Sequence, residues 1–420
     1  MPTFQSTSAV LPMNRTVENA PPTASFCLIR DAAQLHAILP EWEALWRSSA
    51  VAEPMRSPIW LMTWWRHYGE PNGWALRVGV FRSAGQIVAV APMCVRRVWH
   101  RPGLPMNRLT FLGADHDDHD GVCSEYLDIT TKSGDEAAGV RLFVNAVLAG
   151  EFGPWHELIL PTLDGSTATV ERFSNAFTSA GLTVTQRTTT EAPYLTLPAT
   201  WDAYLKQLSK KRRYNITSAL RDFEKWAAGN WQLHRVENDA DLALGSRILR
   251  DLHNQRWQEG EGTRGAFDSP RFQAFHHDLM ASLLDIGALD LYWLTVHGEP
   301  VAAQYQFHVN GKTTFYQCGR KLDVPDRVRI GIVMNALVVQ QAIQRGDYEF
   351  DFLGGAAQYK TRFTETTRPI VELRVVPNGP REWLRVQGEK LVDFARRIRN
   401  VIKPRQPKPA DTTMPTVNFD

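Results

Sequence analysis

The chain of 420 residues predicts a mixed α/β protein, an α+β arrangement around a mixed sheet, built as two similar units in tandem. Three observations carry this expectation. The length exceeds what one core usually organises, since single domains run roughly 100 to 200 residues. Segments of helical period alternate with segments of strand period along the whole chain. Short blocks also recur in order: Ser57-Pro58 returns as Ser269-Pro270, 212 residues later, and Gly85-Gln-Ile-Val-Ala89 as Gly298-Glu-Pro-Val-Ala302, 213 residues later. A third block, Phe111-Leu112-Gly113, resembles Phe352-Leu353-Gly354 at a shift of 241, so the second copy is expected to hold about 28 more residues before that strand.

The elements follow from local pattern. In the first unit, expected over 25–195, a strand at 26–30 precedes a helix at 31–49 whose Leu35, Ile38, Leu39, Trp42, Leu45 and Trp46 share one face. Ser57 caps a helix at 59–68 with Pro58 at its first position. Strands at 75–82 and 87–97 join through Ser83-Ala84-Gly85-Gln86, and further strands are expected at 108–112, 126–129 and 157–160, with helices at 137–148 and 170–180. The second unit, 196–402, opens on a long basic helix at 200–225, then a strand at 231–236 and helices at 240–257 and 269–284. Strands at 289–296, 301–309 and 313–318 form a meander because His297-Gly298 and Asn310-Gly311 make tight turns. A helix at 331–344, a strand at 348–353, a short helix at 358–363, a strand at 371–376 and a helix at 381–402 complete it. Residues 1–24 and 403–420, polar and proline-rich, read as tails, and the two units are expected to meet face to face around 190–205.

Composition narrows the function. With 47 Lys plus Arg against 45 Asp plus Glu, a net +2, no global field draws DNA or an anionic membrane. Cys27, Cys94, Cys123 and Cys318 show no C-x-x-C pair, which points to a reducing compartment and no structural metal. No signal-peptide or membrane-spanning run is seen, so a cytoplasmic protein is expected. P-loop, G-x-S-x-G and G-x-G-x-x-G signatures are absent. Asp115-His-Asp-Asp-His-Asp120 reads as a solvated loop overhanging a cleft, and His253, His276 and His277 read as surface or rim residues.

One helix, three antiparallel strands, a helix, and a strand ending in a glycine pair resemble the GNAT acyltransferase fold. The segment Phe350-Asp-Phe-Leu-Gly-Gly355 with Tyr359-Lys360-x-x-Phe363 sharpens the likeness, as do Ser209-Lys-Lys-Arg-Arg-Tyr-Asn215, Gly298-Glu-Pro-Val-Ala-Ala303, Tyr316-Gln-Cys-Gly319 and Trp60-Leu-Met-Thr-Trp-Trp65. Together they look like the CelD/BcsL group of GNAT-like proteins, related to the Fem aminoacyl transferases, which also carry two such units. The resemblance implies acyl transfer from acyl-CoA, as co-substrate, to an amine or hydroxyl of a small molecule or glycan, in polysaccharide or envelope biosynthesis. An aminoacyl-tRNA donor, or a silent scaffold in a biosynthetic assembly, are the alternatives.

Acyl transfer needs a cleft that aligns donor and acceptor, a hydrogen-bond donor for the oxyanion and a group to take a proton. The resemblance places that cleft where parallel strands at 313–318 and 348–353 splay, with backbone N–H groups of Gln317, Cys318 and Gly319 facing the reacting carbonyl. It implies Lys360 at the active site, its ammonium facing phosphate or developing negative charge. Tyr359 and Tyr316 are candidate proton donors, and Asp351, on the opposite strand face from Phe350 and Phe352, is a candidate base. A phosphate is expected at the helix starting at Gly331, flanked by Arg327 and Arg329, since unpaired N–H groups favour an anion there. The segment Arg327-Val-Arg-Ile-Gly331 keeps one glycine of the usual Gln/Arg-x-x-Gly-x-Gly/Ala pattern, in shifted register. Lys206–Lys225 holds seven basic residues against two acidic, a feature compatible with tRNA and equally with a solvated basic face. The final helix, with its apolar stripe and basic residues, is expected to close the second unit, the alternative being a helix that lies on a membrane surface.

Overall fold

Two serine–proline pairs open equivalent helices. The hydroxyl of Ser57 accepts the N–H of Trp60, that of Ser269 accepts the N–H of Phe272, and the following proline takes the first helical position in Pro58–Trp64 and Pro270–Asp285. The two glycines of the repeated block likewise sit in matching hairpins. Ala84-Gly85 has φ of 49° and 81°, and His297-Gly298 has 52° and 83°. Both pairs meet the positive-φ demand of a tight hairpin turn.

The computed structural model describes residues 24–100, 103–114, 120–257, 265–355 and 358–402. In chain order the first half holds β1 (Ser25–Ile29), helices Ala32–Ala37, Leu39–Arg47 and Pro58–Trp64, then β2 (Ala75–Ser83), β3 (Gln86–His100), β4 (Leu104–Phe111) and β5 (Thr130–Thr131). Helix Glu136–Leu148, β6 (Glu157–Asp164), helix Ala168–Ser179 and β7 (Thr183–Thr196) complete it. The second half repeats the order with helices Trp201–Gln207 and Lys210–Ala227, β8 (Trp231–Arg235), helices Asp239–Gln255 and Pro270–Asp285, and the meander β9 (Leu289–Val296), β10 (Glu299–Val309) and β11 (Lys312–Arg320). Helix Ile330–Arg345, β12 (Glu349–Asp351), helix Gln358–Thr361, β13 (Thr367–Val376) and helix Pro380–Ile402 follow.

One sheet runs β1-β2-β3-β4-β6-β13-β7-β12-β11-β10-β9-β8, with β5 beside β3. The halves exchange their last strands: β13 pairs with β6 of the first half, and β7 pairs with both β13 and β12. They therefore join edge to edge, where a face-to-face contact was expected. Helices occupy the faces, and the ten-residue β13–β7 ladder satisfies backbone groups that would otherwise form bare edges. The aromatic residues of helix Pro58–Trp64 complete the junction. Trp60 meets Phe275, Phe307 and Tyr316 edge-on at centroid distances of 5.2, 5.6 and 5.7 Å.

Several expectations are corrected. Residues 126–129 form no strand; the pairing falls on Thr130–Thr131. The basic helix breaks at Leu208-Ser209, where the Ser209 side chain caps a new helix. Phe111-Leu112-Gly113 and Phe352-Leu353-Gly354 are not equivalent, because the first ends β4, the counterpart of β11, while the second follows β12, the counterpart of β6. His253 and His276 are buried, not on the rim, each under aromatic rings. The final helix does not close the second unit with its stripe: Trp383, Leu384 and Leu391 are exposed, and Arg381 reaches the carbonyl of Pro105 on β4. Residues 115–119 of the acidic loop lie outside the described residues.

Candidate active site

β11 and β12 run parallel but pair only over Lys312–Thr314 and Glu349–Asp351. Beyond these the strands part. At that point β11 carries a bulge, since Gln306 faces Phe315 and Tyr305 faces Gln317, leaving Tyr316 as the extra residue. Phe315–Arg320 then has β10 on one side only, so alternate backbone groups face the gap.

The far wall of the gap is the turn after β12. The Asp351 carboxylate accepts the N–H of Leu353 at 2.8 Å, holding Leu353 at φ 57°. This turns the carbonyls of Leu353 and Gly354 toward Lys360, whose buried Nζ donates to them at 3.0 and 2.6 Å. Two of the three ammonium donors are used and one remains. Burial lowers the Lys360 pKa to about 8, although Glu125 and Asp351 pull it back up.

Glu125, absent from the sequence-based candidates, comes from the first half. Its Oε2 accepts the N–H of Gly354 at 2.7 Å. A Cβ on Gly354 would lie 2.6 Å from Glu125 Oε1 and 2.7 Å from Thr190 Cγ2, so only glycine admits this approach. Burial raises the Glu125 pKa to about 7, against the opposing pull of Lys360 and of the Gly354 N–H. The site thus pairs a carboxyl and an amine whose pKa values have moved toward each other.

Beneath them lies an ionic core. Lys312 Nζ is 2.6 Å from Glu53, 3.1 Å from Glu349 and 3.1 Å from Asp351. Burial disfavours its charge, but these three carboxylates hold its pKa above the ordinary lysine value. Arg368 pairs with Glu349 at 2.7 Å and stacks on Tyr194 at 3.9 Å. The hydroxyl of Tyr126 donates to Asp351 at 3.0 Å. Asp351 does face away from Phe350 and Phe352, which pack in the apolar cluster under helix Ile330–Arg345. Its carboxylate is committed to this network, which argues against a role as base.

The remaining candidates disperse. Tyr316 donates to the carbonyl of Val122 at 2.6 Å and is held by His276 at 3.0 Å. Tyr359 lies on helix Gln358–Thr361, one residue before Lys360. Gln317, Cys318 and Gly319 line the parted end of β11, and the Cys318 carbonyl accepts from His253 Nδ1 at 3.0 Å. Burial lowers the His253 pKa to about 4, so this ring is neutral. A Cβ on Gly319 would come within 2.5 Å of the His253 backbone nitrogen, because helix Asp239–Gln255 packs tightly on β11. Arg329 forms the helix start in a left-handed conformation and turns to Ser218 and Asp222, at 2.7 and 3.8 Å. Arg327 is exposed and Gly331 lies in the first helical turn. Among the described residues no group of His, Cys, Asp and Glu is arranged to hold a metal ion.

Residues 210–361 match the family model described as an acetyltransferase (GNAT) domain. No curated protein matches the chain. Among solved structures, FemX aligns over 83% of this chain and 98% of its own at 10% identity and a TM-score of 0.57, a likeness of fold. A tandem GNAT protein from the clavulanic acid biosynthesis pathway aligns over 85% and 100% at 12% identity and a TM-score of 0.44. L-PGS from Bacillus licheniformis aligns over 79% and 95% at 13% identity and a TM-score of 0.46. The second half of the chain is thus similar to a GNAT acetyltransferase domain over residues 210–361, and it lies in a sheet shared with a first half of the same element order.

Proposed function

We propose that the chain transfers an acyl group from acyl-CoA to an amine or hydroxyl acceptor at the gap between β11 and β12, in the cytoplasm and without a metal. The observation that carries this reading is the convergence of Glu125 and Lys360 on Gly354, one on its N–H and the other on its carbonyl, where the two strands part. The acceptor nitrogen or oxygen attacks the thioester carbonyl, and Glu125 takes the proton it loses. Backbone N–H groups of the bulged end of β11 stabilise the oxyanion. As the C–S bond breaks, the Lys360 ammonium faces the leaving thiolate and returns a proton to it. The helix start at Ile330, with no side-chain cap, leaves backbone donors for the donor's phosphates, although Arg329 is already engaged. Resemblance to the CelD/BcsL group favours a glycan or envelope precursor as acceptor.

One observation favours an aminoacyl-tRNA donor instead. Arg212 of the basic helix Lys210–Ala227 donates to the carbonyl of Thr361, beside Lys360, so this helix lies at the mouth of the same site. Calorimetry with coenzyme A and with bulk tRNA at two salt concentrations separates the readings. Micromolar coenzyme A binding supports the first. Salt-sensitive tRNA binding without coenzyme A binding selects the second, and binding of neither, with no acetyl transfer to any amine in a panel, selects a silent scaffold.

A further inference from the structure

The C-terminal helix Pro380–Ile402 is attached to the body by its charged side. Glu382 receives the Arg374 guanidinium of β13 at 3.0 and 2.9 Å and that of Arg385 at 2.8 and 2.6 Å, and Arg374 continues to Glu157 at 3.0 Å. Its apolar side faces outward: Trp383, Leu384 and Leu391 are 62%, 50% and 66% exposed. Ordinary surface helices do the reverse. In the sequence the same stripe continues at helical spacing through Phe394, Ala395, Ile398, Val401 and Ile402. Elsewhere on the described surface, strongly exposed large apolar side chains stand singly, as Trp99 and Tyr214 do.

We propose that this helix docks the protein on an anionic lipid surface, lying in the interface plane with its apolar stripe among the acyl chains. Charge selects this occupant. The helix carries Arg381, Arg385, Lys390, Arg396, Arg397 and Arg399 against Glu382, Glu389 and Asp393. At 100° per residue, Arg381 and Arg399 flank one side of the stripe, and Lys390 and Arg397 the other. Lys390 is exposed beside the stripe, a position from which a long basic side chain reaches lipid headgroups while its stem stays apolar. A second copy of the chain would instead oppose two helices of the same net positive charge. No described helix is long and apolar enough to cross a membrane, so the contact is one of lying on the surface. The inference is independent of the acyl-transfer reading, because it concerns a different surface.

Co-sedimentation of the full chain with vesicles of phosphatidylcholine and phosphatidylglycerol at 3:1, and of phosphatidylcholine alone, tests it. The expected result is binding to the anionic vesicles that weakens with salt. It should fall at least about tenfold in the triple variant Trp383→Ser, Leu384→Ser, Leu391→Ser and in the double variant Arg397→Glu, Arg399→Glu. All three apolar positions are exposed, so melting temperature should hold, and Leu391→Ser alone supplies a milder version. The proposal is overturned if the wild type ignores anionic vesicles or if the triple variant binds as the wild type does. A lipid-free dimer that the triple variant abolishes would also overturn it, in favour of a second copy.

Discussion

At the residue scale, the proposed acyl transfer rests on two shifted groups, Glu125 as base and Lys360 as acid. Glu125 acts as base only when ionised, so activity should rise with pH through about 7, while Lys360 serves only when protonated, so it should fall above about 8. A bell-shaped profile of kcat/KM with acetyl-CoA and an active amine checks this. Glu125→Gln should lower the rate by about 10²–10⁴-fold and remove the acidic limb. Stability gives the opposite sign for the same carboxyl. Because its native pKa exceeds the usual 4.5, the native state holds the extra proton between pH 4.5 and 7, and stability contributed by that proton is lost as pH rises through 7. Glu125→Gln should therefore unfold at higher urea than the wild type at pH 8, by about 1–2 kcal/mol. Lys312→Met should do the reverse, leaving Glu53, Glu349 and Asp351 without their shared cation and costing about 3–5 kcal/mol in urea unfolding.

At the element scale, turns and close contacts set where strands part. Gly298 has φ 83° and open space around it, so Gly298→Ala should cost only about 1 kcal/mol, the strain of a side chain in that conformation. Gly319→Ala is different. Its Cβ would meet the backbone of His253 and Leu252 at 2.5 and 2.7 Å, so helix Asp239–Gln255 must lift from β11 beside the gap. A loss of about 1–3 kcal/mol in melting experiments is expected, together with reduced coenzyme A affinity.

At the scale of the whole molecule, the exchanged strands make each half incomplete alone. A fragment of residues 196–420 lacks β7 and so leaves β12 bare, and a fragment of residues 1–195 lacks β13 and leaves β6 bare. Each should be insoluble or expanded when expressed alone. Co-expressed, they should form a complex that elutes as one species in size-exclusion chromatography and melts in a single transition. Independent folding of either fragment to a sharp melt would contradict the exchange.

What the residues determined by themselves is local chemistry. The Ser–Pro helix starts, the hairpins at Gly85, Gly298 and Gly311, and the alternation of Phe350, Asp351 and Phe352 follow from φ preference, capping and strand period, each satisfied within a few residues. Lys360 entered through the family resemblance of Tyr359-Lys360-x-x-Phe363, and its contacts with the carbonyls of Leu353 and Gly354 are visible only in the structure. Three features came only with the tertiary structure. β7 has a largely polar, threonine-rich sequence with exposed residues over most of its length, so no apolar period announces it; the ladders to β12 and β13 define it. The C-terminal helix shows a stripe that ordinarily faces inward, yet its Trp383, Leu384 and Leu391 are exposed while Glu382 pairs with Arg374 of the body. Glu125 stands 235 residues before Lys360 in a segment without a motif, and it reaches the site because the two halves share one sheet. Short-range preference is written in neighbouring residues, whereas the partner of a polar strand or a lone carboxylate is chosen by which distant surfaces the folded sheet brings together.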